Sequence, residues 1–328
     1  MKYNNHIILE GLWGVGKTRV LKELAKSGFT IIKEPIYYNK YKNNDKDRSL
    51  WYAKKHKDRE KLILSELNPI ALERSELSNF AYQYATKNKL PSKKDLSFLS
   101  KVVSLKKVLL VYLSINKNNS IIKTNDLMHG KEIKKITENK KRINLYEHWY
   151  KSILPEKFNL TLLEIDLINS ARKTPNTISN EILKCLKSNR VAQVNIVVCR
   201  YNNSNELEVL VLKRAKDRGD FWQTITGGIH IGESFLHAGK RELKEELSIE
   251  VNKVSYADFS YSFTGNEGYK LNEYACFVLL NYKKSLNIKI SDEHVEYKWL
   301  DPKSAMSLLK FKENKSAIKH SIKKIAPR

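Results

Sequence analysis

Glu242, Glu245 and Glu246 stand at i, i+3 and i+4, a spacing that brings three carboxylates to one face of a helix. Like charges so placed repel, and a helix serving structure alone gains by scattering them among lysines. A bound divalent cation reverses that preference. Hard cations such as Mg²⁺ take oxygen ligands, typically a few carboxylates together with substrate phosphate oxygens and water. The trio follows Gly227, Gly228, Gly232 and Glu233, and Arg241 directly precedes Glu242. The stretch from Gly227 to Ile249 therefore reads as a glycine-containing loop running into a helix at about Phe235 to Leu247, able to hold metal against a phosphate ester.

A second set of chemical residues lies near the N-terminus. The apolar run His6 to Glu10 leads directly into Gly11-Leu12-Trp13-Gly14-Val15-Gly16-Lys17-Thr18, the pattern G-x4-G-K-[ST], followed by a helical stretch from Arg19 to Lys26. Gly11, Gly14 and Gly16 let backbone N–H groups wrap a phosphate, and the helix N-terminus behind them adds positive potential. Lys17 is placed to reach the β- and γ-phosphates, and the Thr18 hydroxyl to join Mg²⁺. Seven of the twelve glycines, at 11, 14, 16, 227, 228, 232 and 239, lie in these two motifs, which favours two functional loops over a generally glycine-rich chain.

The spacing Gly227-x5-Glu233-x7-Arg241-Glu242-Leu243-x-Glu245-Glu246-x-Ser248-Ile249 resembles the Nudix box, the signature of hydrolases that cleave nucleoside diphosphates linked to another moiety. The departure is Ser248, where that box usually ends its helix on glycine, a residue that accepts a left-handed backbone more readily. The resemblance implies that Glu242, Glu245 and Glu246 are ligands to Mg²⁺ or Mn²⁺ and that Arg241 pairs with Glu233 to brace loop against helix. The flanks Asp220-Phe221-Trp222-Gln223 and Glu293-His294-x-x-Tyr297-Lys298-Trp299-Leu300-Asp301 are similar to the bacterial dihydroneopterin triphosphate pyrophosphatases within that family. They imply pyrophosphate release from a nucleotide-like triphosphate. Glu293 reads either as a base or extra ligand, or as an exposed acid; Trp222 reads either as a base-stacking ring or as core.

Residues 5 to 187 resemble thymidylate kinase and the deoxynucleoside kinases. Phe29 to Lys33 forms a second strand pattern ending in Glu34-Pro35, similar to the E-P turn of those kinases. The resemblance makes Glu34 the base that accepts the sugar-hydroxyl proton, against the alternative of a surface carboxylate. Glu73-Arg74-Ser75-x-x-Ser78-x-x-Ala81-Tyr82-Gln83 follows a third strand and is similar to the phosphate- and acceptor-contacting segment of those kinases. It implies a phosphate contact for Arg74, whose planar fork suits two oxygens. Tyr82 and Gln83 would hold base or sugar, unless Tyr82 faces the core. From Asn116 to Arg142, where those kinases carry a lid with arginines, the chain is lysine-rich and Arg142 is the sole arginine. Lysine supplies charge without bidentate geometry. No N-K-x-D guanine-reading motif is present.

These motifs require strands and helices to position them. Apolar runs at Ile7, Ile70, Val108 and Leu160, alternating with helical stretches and closed by a helix from Thr177 to Leu186, predict a parallel sheet with helices on both faces. After a polar join at Lys187 to Arg190, the runs Val191 to Arg200 and Leu207 to Leu212 flank the hairpin-like Asn202-Asn203-Ser204-Asn205, and Ala275 to Leu280 and Val295 to Leu300 follow. The expected class is α/β: a P-loop kinase-like parallel sheet over 1–188 and a Nudix-type α/β/α sandwich with mixed sheet over 189–328.

With 328 residues the chain is long enough for two domains, and 41% hydrophobic content supports packed cores. No apolar run reaches the roughly 18 residues of a membrane span and no signal-peptide pattern opens the chain, so a cytoplasmic protein without membrane contact is expected. Cys185, Cys199 and Cys276 are odd in number and far apart, which predicts buried reduced thiols. The net charge of +24 is spread along the chain rather than gathered in a stripe; attraction to polyanionic nucleotides is favoured over a dedicated nucleic-acid partner. Nothing in the sequence specifies an oligomeric state. The favoured reading is a bifunctional enzyme of nucleotide metabolism: Mg²⁺-dependent hydrolysis of a nucleoside triphosphate-like substrate, and ATP-dependent phosphorylation of a nucleoside or nucleoside monophosphate. The alternatives are a kinase-like part that only binds nucleotide and regulates the hydrolase, and a protein that trims RNA 5′ ends.

Overall fold

The computed structural model describes residues 3–35, 45–115, 136–169, 171–280 and 287–325. The chain divides into two compact units, Met1–Val191 with Asn266–Lys270, and Ala192–Gly265 with Leu271–Arg328.

The first unit runs β1 (Ile7–Gly11), α1 (Lys17–Lys26), β2 (Thr30–Ile32), α2 (Asp45–Ser65), β3 (Ile70–Glu73), α3 (Glu76–Lys87), α4 (Lys93–Leu105), β4 (Leu109–Ser114), α5 (Lys140–His148), α6 (Leu154–Phe158), β5 (Leu163–Asp166), the two-residue strands β6 (Ile168–Asn169) and β7 (Ala171–Arg172), and α7 (Pro175–Ser188). Its main sheet has the order β2-β3-β1-β4-β5, and every pairing is parallel. β1, β3 and β4 are buried at every position, as strands covered on both faces must be. β5 starts at Leu163, three residues later than the apolar run suggests, because Leu160 to Leu162 are buried without entering the ladder. Val20, Leu21 and Leu24 form the buried stripe of α1, at the three- and four-residue spacing that seats a helix on a sheet. The lid expected over 116–142 lies outside the described residues as far as 135; Arg142 sits on α5.

The second unit contains β8 (Arg190–Tyr201), β9 (Leu207–Arg214), β10 (Trp222–Gln223), β11 (Ile225–His230), α8 (Phe235–Leu247), β12 (Ser255–Thr264), β13 (Lys270–Leu280), β14 (His294–Leu300), α9 (Pro302–Leu308) and α10 (Lys312–Ile325). The sheet order is β10-β9-β8-β13-β12, with β11 also pairing β8 and β14 pairing β9. β8 and β13 are parallel, while β9 lies antiparallel to β8, β10 and β14, so the sheet is mixed. Alternation along β8 assigns its two faces. Ile196 lies 3.8 Å from where a Cβ on Gly239 of α8 would sit. Val197 and Cys199 join Ala305, Leu309, Ala317 and Ile318 of the α9–α10 region in one core cluster. Helices therefore cover opposite faces, giving an α/β/α sandwich.

The strand β12 and the helix α10 extend beyond the elements legible as apolar runs. β12 buries only Ala257 fully and exposes alternate residues, so no continuous run marks it. The three cysteines are free and buried; burial pushes the Cys185 and Cys199 thiols up to about 12 and raises Cys276 further. No helix among the described residues is long and apolar enough to cross a membrane.

Candidate active site

The helix α8 is built to hold its carboxylates at a defined place. Ser234 caps its start, accepting a hydrogen bond from the His237 N–H at 3.2 Å. Its end turns at Ser248, in the left-handed region at φ 57°, with the N–H groups of Ser248 and Ile249 reaching back to the carbonyls of Lys244 and Leu243. Phe235, Ala238, Leu243 and Leu247 are buried, and the Phe235 ring stacks on Tyr274 at 5.0 Å between centroids. That packing fixes the rotation of the helix and hence the direction of its acidic face.

Arg241 organises that face. Its Nε donates to Glu233 Oε1 at 3.1 Å and one terminal nitrogen to Glu233 Oε2 at 3.0 Å, the bidentate geometry that a guanidinium allows. The same nitrogen donates to the Gly228 carbonyl at 2.7 Å. The other donates to Glu242 Oε1 at 2.7 Å and Glu245 Oε2 at 2.9 Å. The expected pairing of Arg241 with Glu233 is present, and the arginine in addition ties the loop to two of the three helical acids.

The three acids have different surroundings. Glu242 is mostly buried; burial pushes its carboxyl up to about 7, Arg241 opposes that rise, and Glu245 and Glu246 add to it. Glu245 is the exposed member, with its side chain 56% accessible. Glu246 is buried as well; desolvation alone would raise its carboxyl, but contacts with His294 and Ser291 outweigh that and hold it below the usual range. Glu293 is held by two arginines: Arg214 contacts its Oε2 at 3.1 Å and Arg218 its Oε1 at 2.9 Å. Trp222 is partly buried against the core cluster, with the Lys298 Nζ 4.8 Å from its ring centroid.

Among the described residues, no three His, Cys, Asp or Glu side chains converge into a ready-made metal cage. The donor chemistry nevertheless suits a hard divalent cation: three carboxylates on one helix face, one of them destabilised by burial and by its acidic neighbours. A cation held there would relieve both penalties at once.

In the first unit the G-x4-G-K-[ST] segment turns between β1 and α1 with Gly11, Gly14 and Gly16 at φ 142°, 81° and 97°. At Gly11 a Cβ would come within 2.9 Å of the Leu113 carbonyl, so glycine is needed there for space as well as conformation. Lys17 is buried and donates to the carbonyls of Gly11 and Leu12 at 3.1 and 2.8 Å. Burial first, and then Arg74, lowers its ammonium to about 7. The Thr18 hydroxyl donates to Glu73 Oε1 at 2.8 Å. Arg74 is fully buried at φ 63°, with Nε 2.9 Å from Glu34 Oε2 and its guanidinium carbon 4.1 Å from the Trp13 ring centroid. One of its terminal nitrogens donates to Ser78 Oγ and the Tyr146 hydroxyl at 3.1 and 3.2 Å. Lys17, Thr18, Glu34 and Arg74 are thus gathered at the carboxyl ends of β1 and β3, the end of a parallel sheet where ligands bind.

Several neighbours escaped the sequence reading. Glu73 meets Thr18, and Glu10 accepts from the Ser75 N–H and hydroxyl at 2.8 and 2.6 Å. A carboxylate closing an apolar strand was the available signal for both. Arg59 donates to the carbonyls of Ile32, Glu73 and Arg74, but in the charge-rich α2 nothing distinguishes it from its neighbours.

A NUDIX domain family model matches residues 191–321. Over 142 residues the chain is 32% identical to the dihydroneopterin triphosphate diphosphatase of Escherichia coli (strain K12), covering 39% of this chain and 91% of that protein. The chain belongs to the Nudix family. Nudix hydrolases generally use a divalent metal such as Mg²⁺ and act on small nucleotide substrates. The chain spans only 32% of the length of an octanoyltransferase from Myxococcus xanthus, to which 118 residues, 35% of this chain, are 30% identical. The solved structure of the E. coli dihydroneopterin triphosphate pyrophosphohydrolase aligns with a TM-score of 0.33 and 29% identity, covering 40% of this chain and 95% of that one.

Proposed function

We propose that the Nudix unit hydrolyses a nucleoside triphosphate-like substrate at a phosphoanhydride bond, with Glu242, Glu245 and Glu246 as its metal ligands. The observation that carries this reading is the Arg241 fork, which ties the Gly228 carbonyl and Glu233 of the loop to two acids of α8. A divalent cation bound there neutralises phosphate charge and increases the acidity of a bound water. The chain's own residues do the positioning: Arg241 fixes loop against helix, and the buried Glu242 presents a carboxylate on a rigid element. Glu293 serves here as a loop anchor through Arg214 and Arg218 rather than as the reaction's base.

For the first unit we propose ATP binding by residues 11–18 and phosphate transfer to a nucleoside or nucleoside monophosphate. Supporting this is the placement of Lys17, Thr18, Glu34 and Arg74 together at the strand ends, where in-line transfer needs positioning and charge neutralisation. Glu34 would take the acceptor proton. The engagement of Glu34 by Arg74 favours a second reading, in which this unit binds nucleotide and regulates hydrolysis without transfer.

The test is a nucleotide and nucleoside panel with Mg²⁺, products followed by mass, on wild type, Glu246→Gln and Lys17→Ala. The expected result is hydrolysis lost in Glu246→Gln alone and phosphate transfer lost in Lys17→Ala alone. Hydrolysis retained by Glu246→Gln rejects the ligand assignment. ATP binding without transfer to any acceptor selects the regulatory reading, and pyrophosphate release from triphosphorylated RNA in preference to free nucleotides selects RNA 5′-end trimming.

A further inference from the structure

Glu246 differs from its two partners in what holds it. The Ser291 hydroxyl donates to its Oε2 at 2.7 Å, and His294 Nδ1 lies 2.9 Å from the same oxygen, an ion-pairing distance without an aligned hydrogen bond. Both residues come from one short segment leading into β14. That segment is fastened to the end of α8 through its backbone: the Ser291 N–H donates to the Glu246 carbonyl at 3.0 Å and the Lys289 N–H to the Leu247 carbonyl at 3.1 Å. These are carbonyls that a helix C-terminus leaves without partners of its own. The segment also closes on itself through the His294 N–H to the Ser291 carbonyl at 3.0 Å, and the Glu293 carbonyl accepts from the Ala215 N–H.

His294 is fixed in turn. Its side chain is 2% accessible, and its Nε2 lies 3.4 Å from the side-chain nitrogen of the buried Gln223. The β14–β9 register shifts between His294 and Glu296. Such bulges re-aim a side chain next to functional sites.

We propose that Ser291 and His294 are positioning residues that commit Oε2 of Glu246 to the protein and leave Oε1 as its single metal-facing oxygen. The proposal rests on Glu246 being a metal ligand, as put forward above. Outer partners of this kind orient a ligand and typically account for about 10- to 100-fold in metal affinity. They would make Glu246 a one-oxygen ligand and set the cation's place along α8.

The test measures Mn²⁺ binding by the loss of the free-ion paramagnetic resonance signal in the full chain, with wild type, Ser291→Ala, His294→Leu, the double variant and Glu246→Gln. Thermal midpoints in chelator and the Mg²⁺ activation constant against kcat are recorded in parallel. The expected result is Mn²⁺ affinity about tenfold weaker in Ser291→Ala and weaker again in the double variant. Ser291→Ala should also show a raised Mg²⁺ activation constant, a kcat at saturating Mg²⁺ close to wild type, and a melting midpoint unchanged in chelator. Wild-type Mn²⁺ affinity in Ser291→Ala, or weakening that only follows a lowered midpoint, overturns the proposal while Glu246→Gln still loses metal. Wild-type Mn²⁺ binding by Glu246→Gln instead overturns the ligand reading beneath it.

Discussion

The carboxylate of Glu242 occupies the space in which Gly227 would carry a side chain: a Cβ built on Gly227 falls 1.8 to 2.3 Å from the three terminal carboxylate atoms. The first glycine of the loop is therefore required by contact with the acid, and its φ lies outside the positive range that would demand glycine by itself. Gly227→Ala should push Glu242 aside while the backbone stays as it is. We expect hydrolysis to fall about 100-fold, the scale of an ångström-sized misplacement, with stability changed by less than about 1 kcal/mol. Steady-state kinetics and urea unfolding on the same preparation check both halves.

Arg241→Lys keeps a positive charge but cannot bridge Gly228, Glu233, Glu242 and Glu245 at once. A drop of about tenfold or more in kcat/KM is expected, together with a lower unfolding midpoint. Activity within twofold of wild type would show that the fork is dispensable.

Ser248 holds a left-handed backbone, φ 57°, at the end of α8. A side-chain-bearing residue pays roughly 1–2 kcal/mol for that conformation, part of which glycine returns through its freer unfolded chain. Ser248→Gly should raise stability by about 0.5–1 kcal/mol, read as a higher urea midpoint at unchanged slope.

Glu60 on α2 is fully buried; its Oε1 accepts from the Glu76 N–H at 2.9 Å, and burial pushes the carboxyl up to about 8. The folded chain thus keeps a proton that the unfolded chain releases near the ordinary glutamate range. The stability this group contributes is fully present below about pH 4.5 and is lost as pH rises through about 8, at up to roughly 1.4 kcal/mol per pH unit. Glu60→Gln keeps an acceptor and removes the titration. The difference in unfolding free energy between variant and wild type should therefore shift in favour of the variant from pH 5 to pH 8. Subtraction removes the opposite contribution of His56, which burial lowers to about 3.

Much of this was legible in the sequence because it depends on local spacing. The span Phe235–Leu247 is expected from the glycine-containing loop, the helical spacing of Glu242, Glu245 and Glu246 and the motif's end at Ser248, and the strands β1, β3 and β4 follow from unbroken apolar runs. The Arg241–Glu233 pair could be named because both members lie in one motif. What could not be read was contact between distant segments. The resemblance implies a phosphate contact for Arg74; that its guanidinium lies against Glu34 and Trp13, forty and sixty-one residues away in the chain, was not legible. Glu293 reads as a base, an extra ligand or an exposed acid, and its ion pairs with Arg214 and Arg218 could not be named from the sequence. Ser291 carries no motif at all, and only the backbone pairing of its segment with the end of α8 reveals its place.

The three sequestered thiols offer a built-in readout of how the molecule opens. Cys185 belongs to the first unit, and Cys199 and Cys276 to the second. Sulfurs kept protonated and out of water are poor nucleophiles. An alkylating reagent should therefore label each one only when its own surroundings come apart, and peptide mapping of that labelling would time the loosening of the two halves separately, without any introduced probe.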